Sequence, residues 1–251
     1  MVLWTGAACE PTGDEGRSGV DRPQAATLTV SAAASLADAF QELASAYELL
    51  HPGVRVALNF AGSAALATQI LEGAPVDLFA PAAPEHLHRV AEELSGPGVV
   101  FATNRLSIAV PAGNPGGVVA LADLARDELV IGLCAVGVPC GDLAREALAR
   151  AGVAPRPDTE EANVRALLTK VRLSEVDAAL VYRSDIQARD TAVEGVDIPD
   201  EWNPTALYSI AALGSGGSSA AATDFIAFVL SEEGFEILAR YGFARPPEAG
   251  L

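Results

Sequence analysis

Short β-prone runs alternate with segments of helical periodicity from Ala26 onward, and this alternation limits the possible folds more than any other property of the chain. Three units follow one another: TLTVSAA with SLADAFQELASAYELL, VRVALNFAG with SAALATQILEG, and VDLFAPA with PEHLHRVAEEL. In the first helical segment Leu36, Phe40, Leu43 and Tyr47 recur at the spacing of one helix face. Strands that alternate with helices predict an α/β fold whose strands are largely parallel.

The alternation is interrupted by a long β-prone stretch, VVFATNRLSIAVPAG, at residues 99–113. A second set of strands and helices runs from LVIGLCAVGVPC to VDAALVYRSD, and the strand ALYSIAAL with two final helices ends the chain. Two α/β sets joined by β-prone segments predict two lobes. We assign residues 27–106 and 207–251 to lobe I and residues 107–206 to lobe II. In such a layout a ligand lies in the crevice beyond the carboxyl ends of the strands.

Composition excludes two classes of partner. Half of the 251 residues are apolar, which is enough for a sizeable core, and the formal net charge is −17. So acidic a chain lacks the positive potential that attracts nucleic acid or anionic lipid. No apolar run reaches the length of about 18 residues that a membrane-spanning helix needs.

The first 26 residues differ from the rest of the chain. A short apolar run and small residues precede Cys9, and a polar stretch rich in Gly and Pro follows it. This pattern resembles the end of a bacterial lipoprotein signal with a flexible tether behind it. We therefore predict an exported protein, with residues 1–26 as signal remnant and tether and Cys9 as the lipidated residue.

Several predicted helices begin with small or neutral residues. Ser35 in SLAD has the pattern of a serine N-cap with an acidic residue three positions later. Ser63 in NFAGSAAL, Cys140 in VPCGDLAREAL, and Asn163 with Val164 in EANVRALL also open helices. A helix N-terminus presents unpaired N–H groups and the positive end of its macrodipole. Facing one crevice, these helix starts would form an oxyanion pocket from neutral donors.

Six segments, in this order and at these intervals, carry a family resemblance. They are LTVSAAASL, FAGSAALATQILEGAPVDLFA, VPCGDLAREAL, EANVRALL, AALVYRSD and FIAFVLSEEGFEILARYGF. Together they resemble the substrate-binding proteins of bacterial molybdate ABC transporters over residues 27–245. The resemblance implies a type II periplasmic-binding-protein fold, in which two α/β lobes joined by two crossover segments close over a tetrahedral oxyanion.

The resemblance also implies a set of ligand-binding residues. It places the two serines of the family's site on Ser35 and Ser63, two backbone amides on Cys140 and Val164, and a tyrosine hydroxyl on Tyr182. None of these donors is cationic. Neutral fixed dipoles can hold a dianion less tightly than an ion pair would, which suits a carrier that must release its cargo.

The implied function is that of an extracytoplasmic receptor in the cell envelope. By this resemblance the protein captures molybdate or tungstate between its lobes and presents it to a membrane ABC permease. Closure would follow a hinge motion near residues 104–108 and 204–208. We expect a monomer that has no cofactor, no resident metal ion and no catalytic activity.

Cys140, whose amide is predicted to bind ligand, has a second cysteine close to it in the chain. Cys134 and Cys140 are six positions apart in CAVGVPC, and in an exported protein they are expected to form a disulfide. The alternative is a pair of buried thiols. A zinc site is not expected from this pair because no further ligands follow at zinc-like spacing.

Other functions on the same architecture are less well supported. A serine hydrolase would need a base near Ser35 or Ser63, but neither serine lies in a GxSxG elbow and the chain has three histidines. No GxxxxGK[ST] phosphate-binding loop is present. A receptor for another oxyanion, such as sulfate, phosphate or a small organic anion, is the main alternative. The effector-binding domain of a transcription regulator is a further one, but no DNA-binding segment precedes residue 27.

Overall fold

The computed structural model describes residues 26–154, 156–187, 191–214 and 219–247. The predicted lipidation site Cys9 and the tether up to residue 25 lie outside the described residues.

Ten strands and eight α-helices make up the described chain. The strands are β1 Ala26–Ala33, β2 Val54–Ala61, β3 Leu78–Ala80, β4 Val99–Asn104, β5 Leu106–Pro111, β6 Ile131–Cys134, β7 Thr159–Glu161, β8 Ala178–Tyr182, β9 Val193–Asp197 and β10 Ala206–Ala212. The helices are α1 Ala37–Leu50, α2 Ser63–Leu71, α3 Glu85–Arg89, α4 Pro139–Arg150, α5 Val164–Arg172, α6 Arg183–Gln187, α7 Ser219–Leu230 and α8 Glu232–Arg240.

The strands form two five-stranded sheets, one in each lobe. The sheet of lobe I has the order β2-β1-β3-β10-β4, and α1, α2, α3, α7 and α8 pack with it. The sheet of lobe II has the order β7-β6-β8-β5-β9 and packs with α4, α5 and α6. This architecture confirms the predicted α/β class with two lobes. No helix in the described ranges has the length and apolar character required to span a bilayer.

The sheets are mixed, but in each of them four of the five strands run in the same direction, as predicted. β1 pairs in parallel with β2 and β3, and β6 pairs in parallel with β7 and β8. β5 and β10 instead run antiparallel to both of their neighbours. Each of these two strands follows a passage of the chain from one lobe to the other. The strand therefore enters its sheet from the opposite end, which the strand–helix alternation of a single lobe does not reveal.

The core of each lobe lies between its sheet and its helices. In lobe I the apolar face of α1 places Phe40 and Tyr47 against Phe225 of α7, with ring centroids 6.4 and 5.1 Å apart. In lobe II every residue of β5, β6 and β8 is buried. Strands buried on both faces read as continuous apolar runs, which is why these segments showed no polar alternation in the sequence.

The two passages between the lobes lie side by side. A single residue, Arg105, separates β4 from β5, and the return passage joins β9 to β10. The side chain of Asn203 in the return passage accepts a hydrogen bond from Leu106 N at 3.0 Å and donates one to Leu106 O at 2.9 Å. Asn104 Nδ2 donates to Ser184 Oγ at 2.7 Å. The buried amide of Asn203 thus joins the two passages, and the buried amide of Asn104 joins the first passage to α6.

Candidate ligand-binding site

A small cavity lies between the lobes where the first β–α junctions of lobe I face the starts of α4 and α5 in lobe II. Its lining residues are Ala33, Ala34, Ser35, Ala61, Gly62, Ser63, Ala82, Val138, Pro139, Cys140, Asn163, Val164 and Tyr182. The volume of the cavity that is open to the centre of a water molecule is about 20 Å³. Adding a water radius of about 1.4 Å gives a ligand of roughly 3 Å radius. That is the size of a compact tetrahedral ion and too small for a sugar or a peptide.

All five residues predicted to bind ligand line this one cavity. Ser35 and Ser63 belong to lobe I, and Cys140, Val164 and Tyr182 belong to lobe II. Among the lining residues none carries a charged side chain. The polar groups available to a ligand are therefore hydroxyls, amides and the positive ends of helices.

Ser35 does not cap α1, so the predicted N-cap was wrong. The residue lies inside a 3-10 helix, Ala34–Leu36, and α1 begins only at Ala37 without a side-chain cap. Ser35 Oγ lies 2.9 Å from the hydroxyl of Tyr208, a fully buried residue of β10. Either hydroxyl can be the donor in this pair, and when Tyr208 donates, the Ser35 hydrogen is left for the cavity.

Ser63 is arranged in a similar way from a different element. It is the first residue of α2, as predicted, with Gly62 at the N-cap position. Its Oγ accepts a hydrogen bond from the backbone N–H of Ala82 at 3.1 Å. A hydroxyl that already accepts one hydrogen bond retains its own hydrogen as a donor. Both serines of lobe I can therefore donate to a ligand.

Lobe II contributes backbone donors at two helix starts. α4 begins at Pro139, which has no N–H, so Cys140 carries the first free N–H of this helix. α5 begins at Val164 behind Asn163, whose side chain accepts from Ala166 N at 2.9 Å. These boundaries confirm the helix starts predicted at both places. The N–H groups of the first turn have no intrahelical acceptor and remain available to a ligand.

Tyr182 supplies the third donor of lobe II. It ends β8, is 1% exposed, and its Oη has no hydrogen-bond partner in the described structure. Burial raises the pKa of both Tyr182 and Tyr208 well above the ordinary value of 10.0, so both phenols are neutral donors. A buried hydroxyl without a partner costs about 1–3 kcal/mol, which a ligand acceptor in the cavity would offset.

Sequence reasoning missed the residues behind the two serines. The Tyr208 hydroxyl bonds to Ser35 and the Ala82 amide donates to Ser63, and neither residue was predicted to belong to the site. The only sign of Tyr208 in the sequence was a polar aromatic residue in the strand ALYSIAAL. Nothing local connects it to a serine 173 positions away.

The predicted disulfide between Cys134 and Cys140 is not present. Both residues are free thiols, at most 1% exposed, and Cys140 Sγ donates to Leu180 O at 3.3 Å. A hydrogen bond with Cys134 and burial raise the pKa of the Cys140 thiol well above its ordinary value. The Cys140 thiol is therefore protonated, and a protonated thiol is a poor nucleophile in thiol–disulfide exchange.

A buried carboxyl group lies directly behind Tyr182. Asp185 is fully buried and accepts the Tyr182 backbone N–H at 3.1 Å through Oδ2. Its Oδ1 lies 3.5 Å from Arg165 Nε. Burial raises the pKa of Asp185 to about 7, outweighing the opposite effect of Arg165.

We expect Asp185 to make the protein less stable as pH rises from about 4 to about 7. Its pKa increases from 3.8 to about 7 on folding, so in this window the folded state binds the proton more tightly than the unfolded chain. Stability then falls by up to about 1.4 kcal/mol per pH unit. In Asp185→Asn, which keeps an acceptor for Tyr182 N–H, this contribution is absent. Urea unfolding of both proteins should show the variant gaining stability relative to the parent with rising pH, and a constant difference would contradict this prediction.

Comparisons with known proteins agree with this geometry. The sequence profile of the family described as "Bacterial extracellular solute-binding protein" matches residues 28–244. The chain is 38% identical over 224 residues to the molybdate-binding protein ModA of Mycobacterium tuberculosis, covering 88% of this chain and 86% of the relative.

Solved structures share the fold. The periplasmic molybdate-binding protein of Azotobacter vinelandii superposes with a TM-score of 0.77 at 19% identity, covering 88% of this chain and all of that one. The sulfate-binding protein SubI of Mycobacterium tuberculosis superposes with a TM-score of 0.79 at 18% identity, covering 89% and 88%. These likenesses confirm the predicted periplasmic-binding-protein fold. On the family match and the extent of the sequence identity, the chain belongs to the bacterial extracellular solute-binding proteins.

Proposed function

We propose that this protein captures molybdate or tungstate in the cleft between its lobes and delivers it to the membrane permease of an ABC transporter. The proposal is supported by the relative named a molybdate-binding protein, which aligns with 88% of the chain. It is supported equally by the chemistry of the cavity. The ligand would be held by Ser35, Ser63, the Cys140 and Val164 amides, and Tyr182.

The observation that carries the proposal is a cavity lined by donors with no charged side chain among its lining residues. A fully deprotonated tetrahedral dianion offers only acceptors, so every donor can be satisfied. A hydrogenphosphate ion also carries a proton and needs an acceptor. None of the lining residues has a carboxylate to accept that proton, and the side-chain oxygen of Asn163 already accepts one hydrogen bond, from Ala166 N. The donor set therefore favours molybdate, tungstate or sulfate over phosphate.

Ionic size distinguishes molybdate and tungstate from sulfate. Sulfate and molybdate have the same shape and charge, but molybdate is larger. A fixed ring of donors spaced for the larger ion leaves long hydrogen bonds when sulfate enters, and hydrogen bonds weaken steeply with distance and misalignment. Donors from both lobes also favour the closed arrangement once ligand is bound. Closure would take place about the paired passages around Arg105 and Asn203.

The cellular setting follows from the family. We propose an envelope location outside the cytoplasm, anchored by a lipid on Cys9, and a monomer that works with its permease. We further propose that binding requires no cofactor and no resident metal ion, and that the protein is not an enzyme. Neither a histidine nor a carboxylate that could act as a base lines the cavity.

The test is a thermal melt of the protein with molybdate, tungstate, sulfate or phosphate added at the same concentration. A ligand at a hundredfold excess over its Kd stabilises the folded state by about 2.7 kcal/mol, which shifts the melt by several degrees. We expect shifts with molybdate and tungstate only. A shift with sulfate or phosphate alone would assign a different cargo to the same site, and no shift with any ion would refute an oxyanion site.

A further inference from the structure

We propose that Arg165 is a positioning residue, which holds the two lobes in the closed arrangement through an ion pair with Asp38 across the cleft. Arg165 is the second residue of α5 in lobe II and directly follows the Val164 amide. Its guanidinium donates through Nη2 to Asp38 Oδ2. Asp38 lies in the first turn of α1 in lobe I, three residues after Ser35. The pair thus joins two elements that bring ligand donors from opposite lobes.

The guanidinium also lies close to Asp185, without a hydrogen bond between Arg165 Nε and Asp185 Oδ1. Arg165 Nε lies 3.5 Å from Asp185 Oδ1, and the other oxygen of Asp185 accepts Tyr182 N–H. Arg165 and Asp185 both belong to lobe II, so this contact is retained when the lobes separate. Opening therefore costs Arg165 only its Asp38 partner. The Arg165 side chain is thus close to three of the proposed ligand contacts. It directly follows Val164, its partner Asp38 lies three residues after Ser35, and its neighbour Asp185 bonds to Tyr182 N–H.

The ion pair between Arg165 and Asp38 is partly shielded from water. The side chains of Arg165 and Asp38 are 24% and 37% exposed, and Asp185 is 0% exposed. Fully exposed ion pairs contribute little because water screens them, whereas a partly buried pair such as Arg165–Asp38 is screened less. Other pairs, such as Arg240–Glu42, join residues of one lobe and cannot favour closure.

The ion pair should raise affinity by increasing the population of the closed state before ligand arrives. When a ligand binds only the closed state, its apparent Kd equals the intrinsic Kd of that state divided by the fraction of protein that is closed. Losing the pair should therefore weaken molybdate binding about twofold to fivefold. The measurement of molybdate affinity rests on the proposed function. The radius of gyration of the ligand-free protein does not depend on that function and gives an independent test.

The experiment is a double-mutant cycle of Asp38→Asn, Arg165→Gln and the double variant in the full chain. Calorimetric titration with molybdate measures Kd, and small-angle X-ray scattering measures the radius of gyration without ligand. Asp38→Asn is the more informative single variant because it leaves the Arg165–Asp185 contact in place. Glu42→Gln, on the same helix but paired with Arg240 inside lobe I, is the matched control.

We expect each single variant to bind molybdate more weakly and to be more open without ligand, with no further loss in the double variant and no change in Glu42→Gln. An Asp38→Asn protein with the affinity and dimensions of the parent would overturn the proposal. So would an Asp38→Asn effect that is equally large in the Arg165→Gln background, because Asp38 would then act only through its own helix. If the parent itself does not bind molybdate, the proposed function fails and the scattering data alone decide on the ion pair.

Discussion

Gly62→Ala is expected to weaken molybdate binding by about ten- to a hundredfold while leaving both lobes folded. A Cβ atom at this position would lie 2.5 Å from the carbonyl oxygen of Ala162 on the opposite lobe. Overpacking of this kind costs about 1–3 kcal/mol. The backbone of Gly62 is in the extended region, φ −62° and ψ 137°, which alanine adopts without strain. The cost therefore arises only when the cleft closes.

Isothermal titration of the variant with molybdate, together with its ligand-free melting temperature, checks this result. Gly53→Ala is the matched control, because a Cβ there meets no atom within 4 Å. We expect the ligand-free melting temperature of Gly62→Ala to lie within a few degrees of that of the control, since opening relieves the clash at the cost of about one ion pair. Molybdate affinity equal to the parent's would show that the contact between Gly62 and Ala162 is not part of the liganded arrangement.

Ser63→Ala is expected to reduce molybdate affinity by a similar factor for a different reason. The change removes a hydroxyl donor to the dianion and also leaves the Ala82 N–H without its acceptor. Hydrogen bonds to charged groups contribute about 1.5–3 kcal/mol, which corresponds to roughly ten- to 150-fold in Kd. Titration calorimetry measures the loss. Ser45→Ala is the control, because the Ser45 hydroxyl is exposed and bonds only within α1, to Gln41 O.

Two further variants should show different losses of molybdate affinity. Tyr182→Phe removes a direct donor and should resemble Ser63→Ala. Tyr208→Phe removes only the hydroxyl that orients Ser35, so its loss should be smaller, about threefold to tenfold. Unchanged affinity in both Ser63→Ala and Tyr182→Phe would remove these two residues from the site.

The backbone donors of lobe II could be predicted from sequence because helix starts depend on neighbouring residues. Asn163 caps α5 through a bond to an amide three residues later, and Pro139 begins α4 where its missing N–H costs nothing. Ser63 opens α2 next to a glycine. In each case the relevant interactions lie within one helical turn, which a short motif contains.

Ser35 shows where this reasoning failed. The motif SLAD has the same local pattern as a capping box, yet the chain forms a 3-10 turn there. The hydroxyl of Ser35 bonds to Tyr208 instead of capping the helix. A long-range hydrogen bond in a buried site outweighed a local preference of about 1 kcal/mol. The prediction for the cysteine pair failed similarly, since the spacing of the two residues could not reveal that both lie in the core as free thiols.

By itself the sequence determined the order of strands and helices, the division into two α/β sets, and a series of neutral helix starts at the ends of strands. These properties follow from periodicity and capping, which act over a few residues. Only the tertiary structure decided which groups meet across the cleft: Gly62 with Ala162, and Arg165 with Asp38. It also decided that β5 and β10 run against their neighbours. Such pairings depend on how two separately packed lobes are placed, and that placement is the sum of many contacts between residues far apart in the chain.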